Sequence, residues 1–391
     1  MRSLALLAGV LAAGLAAAAP DEEVLGKSQG YPVCPLKEYG TQRCLVGQLS
    51  HFDQIVPARV VKAGAPRALP RAEKEPALGV DELLELNRNT GLMIIKNGTV
   101  LVERYQYDRT PADRFTSMSM AKTVVAMLIG IALAEKKIAS IDDLASQYVP
   151  ELKGHPYGET SLRHLLTMSS GVQFREEYDG KDDVSILGRK TFGQQGPGGA
   201  DSVSTFTNRL RPAGKQFYYA SAETEVLGLV LRAAVGVPLA DYLSEKIWIP
   251  MGAEADATWL IDRSGYEFGY AGLNATLRDW GRLGMLLANY GALDGRQIIP
   301  AAWVQAATHA DSRHLRAGTA TKSNGYGYQT WLIDNDGRFA LLGVRGQAVF
   351  VDPKTKVVIV HTAAFAQSRD AEPRSRQYQF FARVNKTLSQ D

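Results

Sequence analysis

Cysteine is nearly missing: Cys34 and Cys44 are the only two in 391 residues. Two thiols so placed cannot build a metal site, since a structural zinc asks for about four ligands. In an oxidising compartment they would close a loop of about ten residues and contribute about 2.7 kcal/mol; two free thiols are the alternative. The six histidines include no His-Glu-x-x-His and no paired spacing, so a catalytic metal has no ligand set and no cofactor is expected. An excess of one charge is also lacking. Lys and Arg number 44 against 41 Asp and Glu, net +3, with no long basic run, which leaves no electrostatic footprint for nucleic acid. No Gly-x-Ser-x-Gly occurs, and its absence excludes the nucleophile elbow of the α/β-hydrolases. Gly193 to Gly199 (GQQGPGG) is glycine-rich, but no Gly-Lys-Ser/Thr follows; it reads as a flexible loop, not a phosphate cradle. Internal repeats and low-complexity tracts are absent as well.

What is present centres on Phe115 to Lys137, FTSMSMAKTVVAMLIGIALAEKK. Hydroxyl residues lead into an apolar run from Met120 to Ala134, and lysines close it. That pattern predicts a buried helix, too short for a membrane span. Lys122 interrupts the run one turn in. A lysine there must be paired or must lose its charge, and Ser119 stands three residues earlier on the same face. A serine hydroxyl beside a lysine able to shed its proton is an activated nucleophile, and Ser-x-x-Lys is its sequence form. The motif alone fits equally an N-cap serine with a snorkelling lysine.

Met1 to about Ala19 reads as a targeting segment: Arg2 at the start, Leu4 to Leu15 as apolar centre, Ala16-Ala17-Ala18 before cleavage. The expectation is a periplasmic or secreted protein with no membrane span after cleavage. Residues 20–80 form an N-terminal extension carrying the cysteine loop and, from Val56 to Pro76, a Pro- and Ala-rich extended arm. Residues 81–391 form the main domain. A helix at Val80 to Leu86 leads into a hairpin, Leu92 to Lys96 and Thr99 to Tyr105, turned at Asn97-Gly98. The middle, Ser119 to about Leu287, reads as mostly helical, within a subdomain of about 109–290. Arg338 to Leu342, Gln347 to Val351 and Lys356 to Thr362 read as strands, and Arg374 to Leu388 as a closing helix. The fold class expected is α+β: an antiparallel sheet built from both chain ends, with an inserted helical subdomain.

Four blocks then stand in order: Ser119-Met120-Ala121-Lys122, Leu162 to Val172 (LRHLLTMSSGV), Gly214 to Gly228 (GKQFYYASAETEVLG) and Gly269 to Leu283 (GYAGLNATLRDWGRL). Together they resemble the serine β-lactamase and penicillin-binding-protein superfamily over roughly Asp81 to Leu388. The resemblance is to its class C-like branch, and within that to 6-aminohexanoate-dimer hydrolase and related esterases. The resemblance implies the β-lactamase/transpeptidase-like fold, with terminal helices flanking the sheet.

The family's Tyr-x-Asn aligns onto Tyr219-Ala220-Ser221, which implies Tyr219 as third catalytic residue, with Tyr218 as its competitor. A second titratable group there can relay the nucleophile's proton to the leaving group. Ser221 stands where β-lactamases carry asparagine. The third motif, Lys-Thr-Gly or His-x-Gly, is replaced by ALLGVRGQ from Ala340 to Gln347. The oxyanion donor would then be the N–H of Val344 or of Gln347, beside that of Ser119. Tyr178 stands where the amide-hydrolase relatives place an active-site tyrosine, among Glu176, Glu177, Asp179, Asp182 and Asp183; these form either a substrate-attracting edge or a solvated loop. Arg345 among apolar neighbours would hold an anionic group on the substrate or pair internally with a carboxylate.

The function expected is an exported serine hydrolase acting through a Ser119 acyl-enzyme on a small ester or linear amide. A β-lactamase or cell-wall D-alanyl-D-alanine carboxypeptidase is the alternative chemistry. A non-catalytic binding relative is the alternative class.

Overall fold

The computed structural model describes residues 19–334 and 336–389. The expected targeting segment, all but Ala19, lies outside them. Helix α1 (Val80–Leu86) runs into strand β1 (Asn89–Lys96), which turns at Asn97-Gly98 into β2 (Thr99–Tyr105). Both turn residues have positive φ, 49° and 82°, the geometry that makes Asn-Gly a hairpin signal. The apolar run forms α2 (Ala121–Ala134), and the middle of the chain adds α3 (Ser221–Val235) and α4 (Leu277–Ala288). Strands β3 (Gly325–Tyr326), β4 (Trp331–Leu332), β5 (Phe339–Leu342), β6 (Ala348–Asp352) and β7 (Val357–Ala363) follow, and α5 (Ala371–Leu388) closes the fold.

One seven-stranded sheet has the order β2-β1-β7-β6-β5-β4-β3. The two chain ends meet where β7 pairs antiparallel with β1, Ile359 opposite Ile94 and Val360 opposite Met93. Alternation splits the side chains between two faces. Met93, Ile95, Val349, Val358 and Val360 join the large core that contains Leu283 and Leu286 of α4. Leu92, Ile94, Phe350 and Ile359 face α1 and α5, where Phe350 stacks on Phe381 with ring centroids 4.4 Å apart. The result is the α+β, β-lactamase/transpeptidase-like architecture.

Two expectations need correction. The middle is not simply helical: Ala257–Leu260 and Leu273–Ala275 are strands of a second, four-stranded sheet. The proline-rich arm supplies its edge, Ala58–Val61, antiparallel to Ala257–Leu260. Its other edge is Phe115–Thr116, so this sheet delivers the chain to the Ser119 turn. The closing helix also starts at Ala371, three residues ahead of the expected Arg374, with Pro373 in a first turn whose N–H groups need no helical partner. Cys34 and Cys44 form a disulfide, Cα atoms 5.5 Å apart. Among the described residues no single helix is long and apolar enough to cross a membrane.

Candidate active site

Ser119 sits on a 3-10 turn, Met118–Met120, immediately before α2. The turn is fixed from behind by Ser117. Its N–H donates to Leu273 O at 2.7 Å and its Oγ accepts from Leu273 N at 3.1 Å. Ser117 is buried and committed to structure; Ser119 faces a cavity. Strand β5 ends beside the turn at Gly343, where a Cβ would stand 2.6 Å from Ser117 O. Glycine is what lets the strand end approach so closely.

Lys122, 1% exposed, follows one turn into α2. Its Nζ lies 3.0 Å from Ser119 Oγ, 3.0 Å from Ser221 Oγ and 3.1 Å from Tyr270 O. Burial pushes its pKa down to about 8, against the pull of Glu176 and Glu225. A buried amine that loses its proton near neutrality, in contact with a hydroxyl, is suited to general-base work.

Ser221 begins α3, and its hydroxyl is engaged on both sides. It accepts from Lys122 and donates to Glu176 Oε1 at 2.8 Å, while its N–H donates to Glu176 Oε2 at 2.8 Å. It therefore orients the lysine and has no free donor to offer a ligand. Tyr178, at φ 62°, donates its hydroxyl to the same Glu176 Oε1 at 2.6 Å. Tyr219 lines the cavity with Ser119 and stacks on Trp331, centroids 5.3 Å apart. Tyr218 points elsewhere and is 42% exposed. Burial and the Glu176 charge raise the Tyr219 pKa, opposed by its contact with Ser119 and by Arg369 and Arg374, so its phenol keeps its proton.

Val344 borders both cavities that meet at Ser119. Gln347 borders neither; its side chain is buried and donates to Arg345 O and Ala363 O. Arg345 is not on a strand. The chain turns left-handed there, φ 59°, and Nη1 donates to Phe365 O and Ala366 O at 2.9 and 2.8 Å. Backbone carbonyls, not a carboxylate, take that part of its guanidinium. Arg345 borders the second cavity at Ser119, whereas the cavity lined by both Ser119 and Tyr219 is bordered by Arg369 and Arg374, the latter donating to Gly343 O at 2.9 Å.

Residues 85–382 match the family model described as Beta-lactamase. The chain belongs to the beta-lactamase family. It is 28% identical over 322 residues to 6-aminohexanoate-dimer hydrolase of Paenarthrobacter ureafaciens, covering 78% of this chain and 82% of that one. A Bacillus anthracis structure provisionally described as a 6-aminohexanoate-dimer hydrolase superposes with TM-score 0.82 at 25% identity, over 91% of this chain and 99% of that one. A penicillin-binding-protein homologue from Caulobacter crescentus shares the fold, with TM-score 0.62 at 18% identity over 81% and 99% of the two chains. The protein is thus a beta-lactamase-family hydrolase related to 6-aminohexanoate-dimer hydrolase.

Sequence reading did not single out Glu176 within its acidic loop, nor Glu225, which is buried and accepts from Gly269 N at 2.9 Å. The one available signal was Glu176 two residues ahead of Tyr178. In this beta-lactamase-family site the Glu176 charge holds the Lys122 pKa up against burial. Glu176→Gln should therefore move the rising limb of the kcat/KM–pH profile below the pH of about 8 set by Lys122. An unchanged or higher midpoint in the variant would show that the charge does not act on the lysine.

Proposed function

We propose that this hydrolase cleaves small esters or linear amides through an acyl-enzyme on Ser119. The observation that carries the reading is the buried Lys122 amine 3.0 Å from Ser119 Oγ. A neutral amine keeps two N–H bonds. Directed to Ser221 Oγ and Tyr270 O, they leave the nitrogen lone pair on Ser119 Oγ. Lys122 takes the serine proton as Oγ attacks the carbonyl carbon. The tetrahedral oxyanion is received by the N–H groups of Ser119 and Val344. Tyr219 gives its proton to the leaving oxygen or nitrogen and regains one from the Lys122 ammonium, whose Nζ lies 5.1 Å from its ring centroid. The C–O or C–N bond breaks, and water then attacks the acyl-enzyme and releases the acid.

Serine at the asparagine position and the missing Lys-Thr-Gly alter the groups that hold a β-lactam. Short-chain p-nitrophenyl esters are therefore expected to exceed a chromogenic cephalosporin in kcat/KM. A cephalosporin value above that of the best ester would overturn the ranking and favour the β-lactamase reading. Export completes the proposal: Arg2, the leucine- and alanine-rich run and the Cys34–Cys44 disulfide all suit a periplasmic or secreted enzyme. Mass spectrometry of the mature N-terminus checks it; a chain that keeps Met1 to Ala19 would refute it.

A further inference from the structure

Two cavities meet at Ser119, sharing Tyr178, Val344 and Ser368 between them. The proposed chemistry distinguishes them. Tyr219, which protonates the leaving group, lines only the cavity that also holds Arg369 and Arg374. The leaving group belongs on that side, and the acyl group must extend into the other. That second cavity, about 460 Å³, is bordered by Leu36, Tyr39, Phe52, Val184, Phe192 and Tyr270. Its aromatic rings form a continuous wall: Tyr39 to Phe52 at 5.6 Å, Phe52 to Phe192 at 5.4 Å, Phe192 to Tyr270 at 6.0 Å between centroids.

We propose that this cavity is the acyl-binding pocket, that it selects medium-length apolar or aryl acyl groups, and that the disulfide-closed N-terminal loop is the wall that sets that selection. The inference rests on the serine-hydrolase reading above. The loop residues precede residue 85, where the match to the family model begins.

The loop is built to hold its shape. The disulfide closes it, and the buried Gln48 ties its two arms, donating to Cys34 O at 3.2 Å and accepting from Gly40 N at 3.3 Å. Arg43 pairs with Glu38 within it, and Gln42 donates to Ala366 O at 3.0 Å, fastening it to the main domain. Tyr39, 44% exposed, stands at the mouth of the pocket, and its hydroxyl faces the Arg345 guanidinium. Gly40 lets that guanidinium pass: a Cβ there would lie 3.1 Å from Arg345 Nη2.

The test uses p-nitrophenyl acetate, butyrate, hexanoate and octanoate on the mature enzyme. Each methylene that becomes buried multiplies kcat/KM by up to about fourfold, so the hexanoate-to-acetate ratio should exceed about tenfold. Tyr39→Ala opens the wall, and Leu36→Trp fills the pocket from a partly buried position at the edge of the core. Each should lower that ratio by about fivefold or more, as should the double variant Cys34→Ser/Cys44→Ser. If Tyr39→Ala fails to fold, Leu36→Trp still decides the question. A ratio unchanged in Leu36→Trp, or a wild-type profile that falls from acetate onward, would overturn the pocket. Phenyl and ethyl hexanoates form the second arm: their relative rates should be the same in Leu36→Trp as in wild type. A shift between them as large as the acyl effect would place the leaving group here and overturn the assignment. Fluorophosphonate labelling of Ser119 separates the two levels. Labelled enzyme with unaltered chain-length ratios rejects only the pocket, whereas absence of both labelling and ester turnover rejects the hydrolase reading on which it rests.

Discussion

Lys122→Ala should lower kcat/KM by about a hundred- to ten-thousand-fold, the range that a general base supplies. Circular dichroism and thermal melting should show the fold retained. The second expectation follows from burial. Lys122 is 1% exposed, and burial depresses its pKa to about 8, so its charged form is a cost that the fold already carries. Removing the amine forfeits its contacts with Ser221 Oγ and Tyr270 O but also relieves that desolvation. The pH profile should lose its ascending limb near pH 8 at the same time. A variant that unfolds while its remaining soluble fraction keeps near-normal activity would show that the lysine serves structure.

Ser119→Ala should abolish turnover of every ester and amide, a loss on the order of a million-fold where nucleophile and base act as one unit. Stability should hardly move, because the turn is secured by Ser117 to Leu273 and not by the Ser119 hydroxyl. Combining Ser119→Ala with Lys122→Ala should cost little more than the serine change alone, since each removes the same step. Additive losses in the double variant would mean that the two residues act independently.

The parts of this site that were legible in the sequence are those fixed by local spacing. Ser119 and Lys122 are three apart at the head of one helix, so their contact follows from helical geometry. The Asn97-Gly98 hairpin follows from the φ values its turn demands. Tyr219 needed the family resemblance, because nothing local separates it from Tyr218; the exposure of Tyr218 and the stacking of Tyr219 on Trp331 make the distinction in three dimensions. What sequence did not disclose depends on distant pairing. Glu176 and Ser221 are 45 residues apart, and their paired hydrogen bonds exist only once the acidic loop folds over α3. The edge strand at Ala58–Val61 is an unremarkable proline-bounded stretch until Ala257–Leu260 pairs with it. Arg345 stands among apolar neighbours in the sequence, and only the fold shows that Gly343 ends the strand and that the left-handed turn at φ 59° directs the arginine to two carbonyls.

Peptide mapping after fluorophosphonate treatment tests the central claim most directly. The phosphonate adduct should appear on the peptide containing Ser119, localise by fragmentation to that residue, and vanish in Ser119→Ala. An adduct on Ser117, or sustained ester turnover by an enzyme that takes up no label, would contradict the account.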